Sequence, residues 1–403
     1  MGVLFFIAWG LLALGLFGLL TSTVFLVLAS AGVMRFRRQA REQRAAPAAG
    51  PFLPMVSLLK PLHGAEPGLE QHLRGFFEQD YPQYEVLFCA RTEADAGLQI
   101  ARRLAEEYPH ISTKIVTSGE PWAANAKACS LVKMADVAAS DIWVISDSDV
   151  QVTPEYLRAV ISPFRDAQVG AVTCLYRGVA AEGGLWSMLE AVGMSVEMSS
   201  GVVIANLLEG MQFMLGPTMA VRRGCVNQMG GFGTLGVYCA DDFVLGNCVA
   251  AQGSTVVLSG HVIDHIVLNE SFADSIKHQV RWMKSTRFSR PKGHFGTCLT
   301  FATPFGLLAL AGALLLGMPW LGVGALVFSV AGRMLQAWLV GGLVVKERAL
   351  WRTMLLFPLR DLMGLFFWAM SYTGRRILWR GEVYELQAEG VMRKVQQPAA
   401  FRE

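Results

Sequence analysis

Residues 3 to 33 form an apolar run without one charged side chain, and Arg35, Arg37, Arg38, Arg41 and Arg44 follow almost at once. A bilayer core is crossed by ~20 consecutive apolar residues, so this run is long enough to span as a helix. A cleaved signal peptide has its positive charges before a shorter apolar stretch. Here none precedes it, and the segment reads as a signal anchor. The arginines behind it place residues 35 onward in the cytoplasm, because cytoplasmic flanks carry the excess of Lys and Arg. The rest of the chain must therefore fold from a membrane surface.

A second apolar region runs from Leu299 to Thr373, with spans expected near 299–318, 320–345 and 353–373. Pro319 and the Lys346-Glu347-Arg348 cluster punctuate it. Arg360 and Asp361 fall inside the last span, where unpaired charge is costly, so pairing, an interfacial position and a re-entrant course all remain open. With 53% hydrophobic residues in 403, the chain is too apolar for a purely soluble protein. Its formal charge of +3 is small and its basic residues cluster beside the apolar segments, which excludes a nucleic-acid stripe. Seven scattered cysteines without a Cys-x-x-Cys pair read as reduced core residues.

Between these regions lies ordinary soluble alternation. Strands are expected at 55–59, 84–90, 114–117, 141–146, 169–175, 215–221 and 255–259, with helices at 66–79, 97–108, 124–138, 154–163 and 241–252. That order predicts an α/β domain with a mainly parallel sheet and its ligand at the carboxyl ends of the strands. The expected division is an anchor at 1–34, a basic linker at 35–54, the α/β domain at 55–290, membrane segments at 291–374 and a basic, polar tail at 375–403. Residues 194–220, with Met194, Met198, Met211, Met214 and Met219, read as a core helix and strand, or else as a membrane-facing surface for a greasy ligand.

The strand at 141–146 ends in Asp147-Ser148-Asp149, two carboxylates one residue apart. Hard oxygen ligands at the carboxyl end of a strand suit Mg²⁺ or Mn²⁺, which are held by one or two carboxylates plus substrate phosphates. A sugar-nucleotide diphosphate is the expected ligand. A second pair, Asp241-Asp242, opens a helix; Asp241 reads equally as a cap, and Asp242 is the better candidate for a general base. From Lys277 to Arg287 the chain reads Lys-His-Gln-Val-Arg-Trp-Met-Lys-Ser-Thr-Arg, either a juxtamembrane anchor or a diphosphate clamp in which the Arg281 guanidinium grips two oxygens and Trp282 closes beside it.

These residues, in this order, resemble the ceramide glucosyltransferase family of membrane-bound, inverting GT-A glycosyltransferases. The resemblance runs from about Lys60 to Tyr384. It opens with Lys60-Pro61-Leu62-His63-Gly64 and continues through Phe76-Phe77-Glu78-Gln79-Asp80-Tyr81-Pro82 and Asn125-Ala126-Lys127. Asp147 then falls on the family's second key aspartate, Asp242 on its third, and His278, Arg281 and Trp282 on its late signature. Thr92 stands where the first key aspartate is expected, with Glu93 or Asp95 as substitutes. His278 stands where the ceramide enzymes carry Gln or Arg. That form, with Thr173-Cys174-Leu175-Tyr176-Arg177-Gly178, also looks like the hopanoid-modifying branch, found in bacterial inner membranes.

The resemblance implies a cytosolic GT-A (nucleotide-diphospho-sugar transferase) domain flanked by transmembrane helices, in a multi-pass membrane protein. Asp242, Arg281 and Trp282 would be catalytic. Lys60, Glu93, Asp95, Asn125, Lys127, Asp147 and His278 would bind the nucleotide sugar, and Asp147 and Asp149 the Mg²⁺ or Mn²⁺. The implied reaction moves a sugar, glucose first, from a UDP-sugar to the hydroxyl of a membrane lipid such as ceramide. Alternatives are a hopanoid polyol glycosylated from UDP-N-acetylglucosamine, a processive polysaccharide synthase, and a transporter or membrane scaffold with an inactive cytosolic domain.

Overall fold

Strands β1 (Val56–Pro61) and β2 (Tyr84–Ala90) are buried almost throughout, as expected of strands covered on both faces whose residues are apolar but for Ser57, Lys60 and Glu85. The computed structural model describes residues 2–45, 50, 52–181, 183–268, 271–379 and 381–395. Part of the expected linker (46–49 and 51), Arg380 and the end of the tail lie outside the described residues. Two compact units are present: one is Met1–Arg37, Ala180–Leu208 and Asn269–Arg375, the other Arg38–Val179, Glu209–Leu268 and Arg376–Glu403. They do not follow the contiguous boundaries expected above. Residues 180–208 leave the 55–290 segment for the apolar unit, and the tail strands join the α/β unit.

In the α/β unit the remaining strands are β3 (Ser112–Thr117), β4 (Ile142–Ile145), β5 (Val150–Gln151), β6 (Val169–Ala180), β7 (Met219–Arg222) and β8 (Thr255–Val267). The sheet order is β3-β2-β1-β4-β7-β6-β8-β5. Parallel pairing joins β3, β2, β1 and β4, while β4–β7, β6–β7 and β5–β8 are antiparallel. The α/β class holds, and β3, β2, β1 and β4 form its parallel ladder. Ser146 to Asp149 join β4 to β5, four strand positions apart in that order. Four steps of a flat sheet cover ~19 Å, more than the ~17 Å that five residues can reach. The sheet therefore curls, and the Asp147-Ser148-Asp149 turn closes the curl.

The helices of this unit include Leu69–Phe77, Ala96–Glu107, Ala126–Val137 and Asp241–Ala251, near the expected positions. A small antiparallel sheet of β9 (Arg376–Trp379), β10 (Glu382–Leu386) and β11 (Met392–Lys394) follows at the end of the chain. It meets the loop before Asp241, where the Tyr238 and Val391 backbones bridge and Cys239 N donates to Gly390 O. Among the described residues every cysteine is free.

The apolar unit is helical. Helices Gly2–Ala45, Leu185–Leu208, Pro319–Gly342 and Leu350–Met370 are each long and apolar enough to cross a membrane. The first continues through its arginines to Ala45, about 66 Å at 1.5 Å per residue, so the basic stretch expected to be linker is helical as far as Ala45. Thr303–Leu315, within the expected span at 299–318, has 13 residues, about 20 Å, and is short of a bilayer core. The Met-rich stretch instead lies partly on Leu185–Leu208, whose Gly193–Met198 turn is π-helical. Small residues let these helices approach closely: a Cβ on Gly15 would meet Ala309 N at 2.5 Å, and one on Gly312 would meet Leu12 N at 2.5 Å.

Charge inside this unit is paired. Arg360 Nη2 lies 3.0 Å from Glu197 Oε2 and donates to Gln279 Oε1 at 2.9 Å. Asp361 takes Arg333 Nη1 at 3.3 Å and accepts from the N–H groups of Ala302 and Thr303 at 3.0 and 2.7 Å, capping the short helix.

Candidate active site

The end of β4 and the start of the Asp241–Ala251 helix bring Asp147, Asp241 and Asp242 into one cluster. Lys127, in the first turn of the Ala126–Val137 helix, joins them: its Nζ lies 2.7 Å from Asp147 Oδ1 and 3.6 Å from Asp241 Oδ2. Gly216 sits between Asp147 and Asp242. A Cβ there would stand 3.3 Å from Asp242 Oδ2 and 3.4 Å from Asp147 Oδ2. Its own N–H donates to Asp242 Oδ2 at 2.7 Å, while Phe243 N donates to Asp242 Oδ1 at 2.8 Å. Sequence reasoning missed Gly216; only its chain neighbour Pro217, unable to donate to a strand ladder, marks the turn.

The electrostatics separate the roles. Burial pushes the Asp242 carboxyl up to about 6, the Asp241 charge adds to the rise, and Lys127 with the two backbone N–H groups opposes it. Burial also works against the charge on Lys127, but Asp147 and then Asp241 overcome it, and the ammonium is held more firmly than usual. Asp241 stands inside the helix; the cap position is Ala240, with no side-chain cap, so Asp241 is a partner of Lys127 and not the cap.

Asp149 stands immediately before β5. Its Oδ2 is 3.3 Å from His265 Nε2, and its Oδ1 is buried without a hydrogen-bond partner. Sequence reasoning did not single out His265, which stands against the Asp149 carboxylate. The adjacent strand residue pair Arg177 and Asp264 forms an ion pair at 2.6 Å. Ser148 Oγ donates to Glu66 Oε2 at 3.0 Å, which ties the turn to the loop after β1.

The structure gives four residues expected to touch the nucleotide the following protein contacts. Lys60 is fully buried, its Nζ 3.8 Å from the Phe76 ring centroid and donating to Asp147 O at 2.5 Å. Burial lowers it to about 7, against the pull of Asp147. It supports the strand end from inside and presents nothing to a ligand. Asn125 is buried as the cap of the Ala126–Val137 helix, accepting from Ala128 N at 3.2 Å and donating to Tyr238 O at 3.1 Å. Asp95 caps the Ala96–Glu107 helix through Gly97 N at 2.8 Å and accepts from Gly64 N at 2.9 Å. Glu93 is exposed, 3.7 Å from Arg102. It lines a cavity of about 350 Å³ with Thr117 and Lys133, away from the capping Asp95.

The late signature belongs to the apolar unit, on the helix Phe272–Ser289. His278 and Trp282, four residues apart, share a face with ring centroids 4.6 Å apart. His278 Nδ1 lies 2.5 Å from Glu190 Oε1, a contact sequence reasoning missed although a Glu in an apolar helix signals it. Arg281 and Trp282 are half-buried. Arg287 donates to Ser371 O at 2.7 Å and lies 4.6 Å from the Tyr372 ring, so this end of the basic cluster packs on the protein.

A family model for glycosyl transferase family 21 matches residues 17–392. The chain belongs to glycosyl transferase family 21. Ceramide glucosyltransferase 1 of Caenorhabditis elegans is 25% identical over 211 residues, covering 52% of this chain and 45% of its own length. The ceramide glucosyltransferase of Komagataella phaffii is 29% identical over 147 residues, 36% of this chain and 29% of its own. The chain thus spans about half the length, or less, of these curated relatives. Among solved structures, the mannosyltransferase PcManGT from Pyrobaculum calidifontis, in complex with GDP-Man and Mn²⁺, is 19% identical, covering 86% of this chain and 99% of its own, with a TM-score of 0.45.

Proposed function

We propose that this family 21 chain is a GT-A-type glycosyltransferase that moves a sugar, glucose first, from a UDP-sugar to the hydroxyl of a membrane lipid such as ceramide, with inversion, at the cytoplasmic face. The observation that carries the reading is the convergence of Asp147 and Asp242 on Gly216, with Lys127 beside them. An inverting transfer needs a base for the incoming hydroxyl next to a site for the departing diphosphate. Asp242 accepts the hydroxyl proton at a carboxylate oxygen: with its pKa near 6 it is ionised at neutral pH yet basic enough to take a proton. Lys127 faces the developing diphosphate charge. Arg281 and Trp282 are assigned to the diphosphate and the acceptor entrance by their place in the signature.

A divalent cation, Mg²⁺ or Mn²⁺, fits the unpartnered buried Asp149 Oδ1, and Asp147 and Asp149 would hold it. Among the described residues no three His, Cys, Asp or Glu side chains form a cluster able to hold a metal, which accords with an ion shared between the two carboxylates and substrate phosphates. When bound, such an ion neutralises charge on the leaving diphosphate.

The His-x-x-Arg-Trp form of the signature favours a second acceptor class, a hopanoid polyol glycosylated from UDP-N-acetylglucosamine. The test is transfer by the purified full chain in micelles, with UDP-glucose and UDP-N-acetylglucosamine each offered against ceramide and a hopanoid polyol. Glucosylated ceramide with UDP release supports the first reading, and a product only on the polyol selects the second. Failure of every pair to yield product, with added Mg²⁺ or Mn²⁺, refutes both.

A further inference from the structure

Glu190 is a carboxylate on an apolar, membrane-length helix, with a side chain that is 0% exposed. A buried ionised carboxylate costs several kcal/mol unless donors meet it. Here His278 Nδ1 reaches Oε1 at 2.5 Å and the Ser275 hydroxyl donates to Oε2 at 2.9 Å. A carboxylate is an acceptor only, so the ring nitrogen facing it carries the proton. Two further contacts hold the imidazole where it is. Trp282 lies against the ring at 4.6 Å between centroids, and the next residue, Gln279, accepts from Arg360 Nη2 at 2.9 Å, which seats this turn of the helix from its buried side.

From this geometry we infer that Glu190 is a positioning residue: it fixes the orientation of the His278 imidazole and its proton on Nδ1, in the ring that the late signature assigns to the nucleotide sugar. The inference rests on the glycosyltransferase reading for what His278 binds, but not for the state of the ring. Glu190 itself touches no substrate and acts only through His278. The pairing also gives a physical reason for a His in a slot where the resembling ceramide enzymes carry Gln or Arg: an imidazole needs a partner to select its tautomer, and Glu190 supplies it.

The test uses the full chain in detergent micelles, with ¹⁵N-labelled histidine and steady-state kinetics for UDP-glucose and UDP-N-acetylglucosamine. The His278 signal is assigned by its absence in His278→Gln. In the wild type Nδ1 is the protonated nitrogen. In Glu190→Leu, which keeps the helix apolar, Nδ1 loses that preference and the donor KM rises roughly tenfold. Glu190→Gln, which keeps an oxygen acceptor, recovers part of the loss. In the His278→Gln background, Glu190→Leu adds less than about twofold, because the residue through which it acts is gone. A purely structural role would lower the active fraction and hence apparent kcat, leaving KM unchanged. That result, an Nδ1 preference that survives Glu190→Leu, or additive effects of the two substitutions overturns the inference. Absence of any UDP-sugar turnover in the wild type would sink the glycosyltransferase reading, and the ¹⁵N result would still decide between Glu190 and a structural role.

Discussion

Asp242→Asn should yield a protein that is more stable at pH 8 and nearly inactive. Burial, then the Asp241 charge, raise the Asp242 carboxyl from 3.8 to about 6. The folded state therefore holds this proton more tightly than the unfolded chain, so stability falls as pH climbs from about 3.8 to about 6, and the full cost stands above that. At ~1.4 kcal/mol per unit the cost is about 3 kcal/mol at pH 8. Asn carries no charge and removes it. Asn also has one acceptor oxygen where Asp242 takes N–H bonds on both, from Gly216 and Phe243. Leaving one N–H unpaired costs ~1–2 kcal/mol, so the net gain is ~1–2 kcal/mol, a rise of a few degrees in Tm. Tryptophan fluorescence on heating, at pH 8 and pH 4, measures it: the gain should be present at pH 8 and gone or reversed at pH 4. Turnover should fall by ~10²-fold or more with donor affinity retained. Wild-type turnover, or a variant as destabilised at pH 8 as at pH 4, would refute the assignment of the base and the account of its pKa.

Three further outcomes follow from the same geometry. Asp149→Asn should weaken divalent-ion dependence and UDP binding together, because it alters the carboxylate whose Oδ1 is buried without a partner; UDP and metal titrations matching the wild type would remove Asp149 from the site. Gly216→Ala places a methyl 3.3 and 3.4 Å from the Asp242 and Asp147 oxygens, so kcat/KM should drop roughly tenfold while Tm stays near wild type; unchanged kinetics would show that the carboxylates can move apart at no cost. Arg281→Lys keeps the charge and loses the planar fork, so transfer should fall with membrane association intact. Undiminished transfer in Arg281→Lys, with membrane release when Lys277, Lys284 and Arg287 are all removed, would leave the cluster as a headgroup anchor.

Much of the α/β unit was legible because its signals are local. Tyr84–Ala90 reads as a strand from a run that is apolar but for Glu85, and Asp147 and Asp242 are found at element ends by spacing and order. What escaped depends on tertiary placement. The strand expected from 215 begins at Met219, because Leu215 to Thr218 close a tight turn first, and that turn delivers the Gly216 N–H to Asp242. Lys60 and Asn125 belong to matching motifs, yet side-chain direction, which motifs do not carry, turns one inward over Phe76 and makes the other a cap. The helix Leu185–Leu208 was hidden because Glu190 and Glu197 break its apolar pattern; both are charges whose partners lie elsewhere in the chain.

Arg360 and Asp361 show why such partners cannot be read from adjacency. Opposite charges next to each other in sequence suggest mutual neutralisation, but successive residues on a helix project about 100° apart and do not face each other. Arg360 accordingly turns to Glu197 and Gln279, and Asp361 to Arg333 and the N–H groups that open the Thr303–Leu315 helix. One dipeptide thereby ties together elements from four stretches of the apolar unit. The fit is close: a Cβ on Gly193 would stand 2.2 Å from Arg360 Nε. Because Gln279 follows His278, the contacts that Arg360 Nη2 makes with Glu197 and Gln279 also fix the helix carrying the late signature. Charge that looks misplaced in an apolar segment thus holds in register the residues through which this unit is proposed to meet the donor.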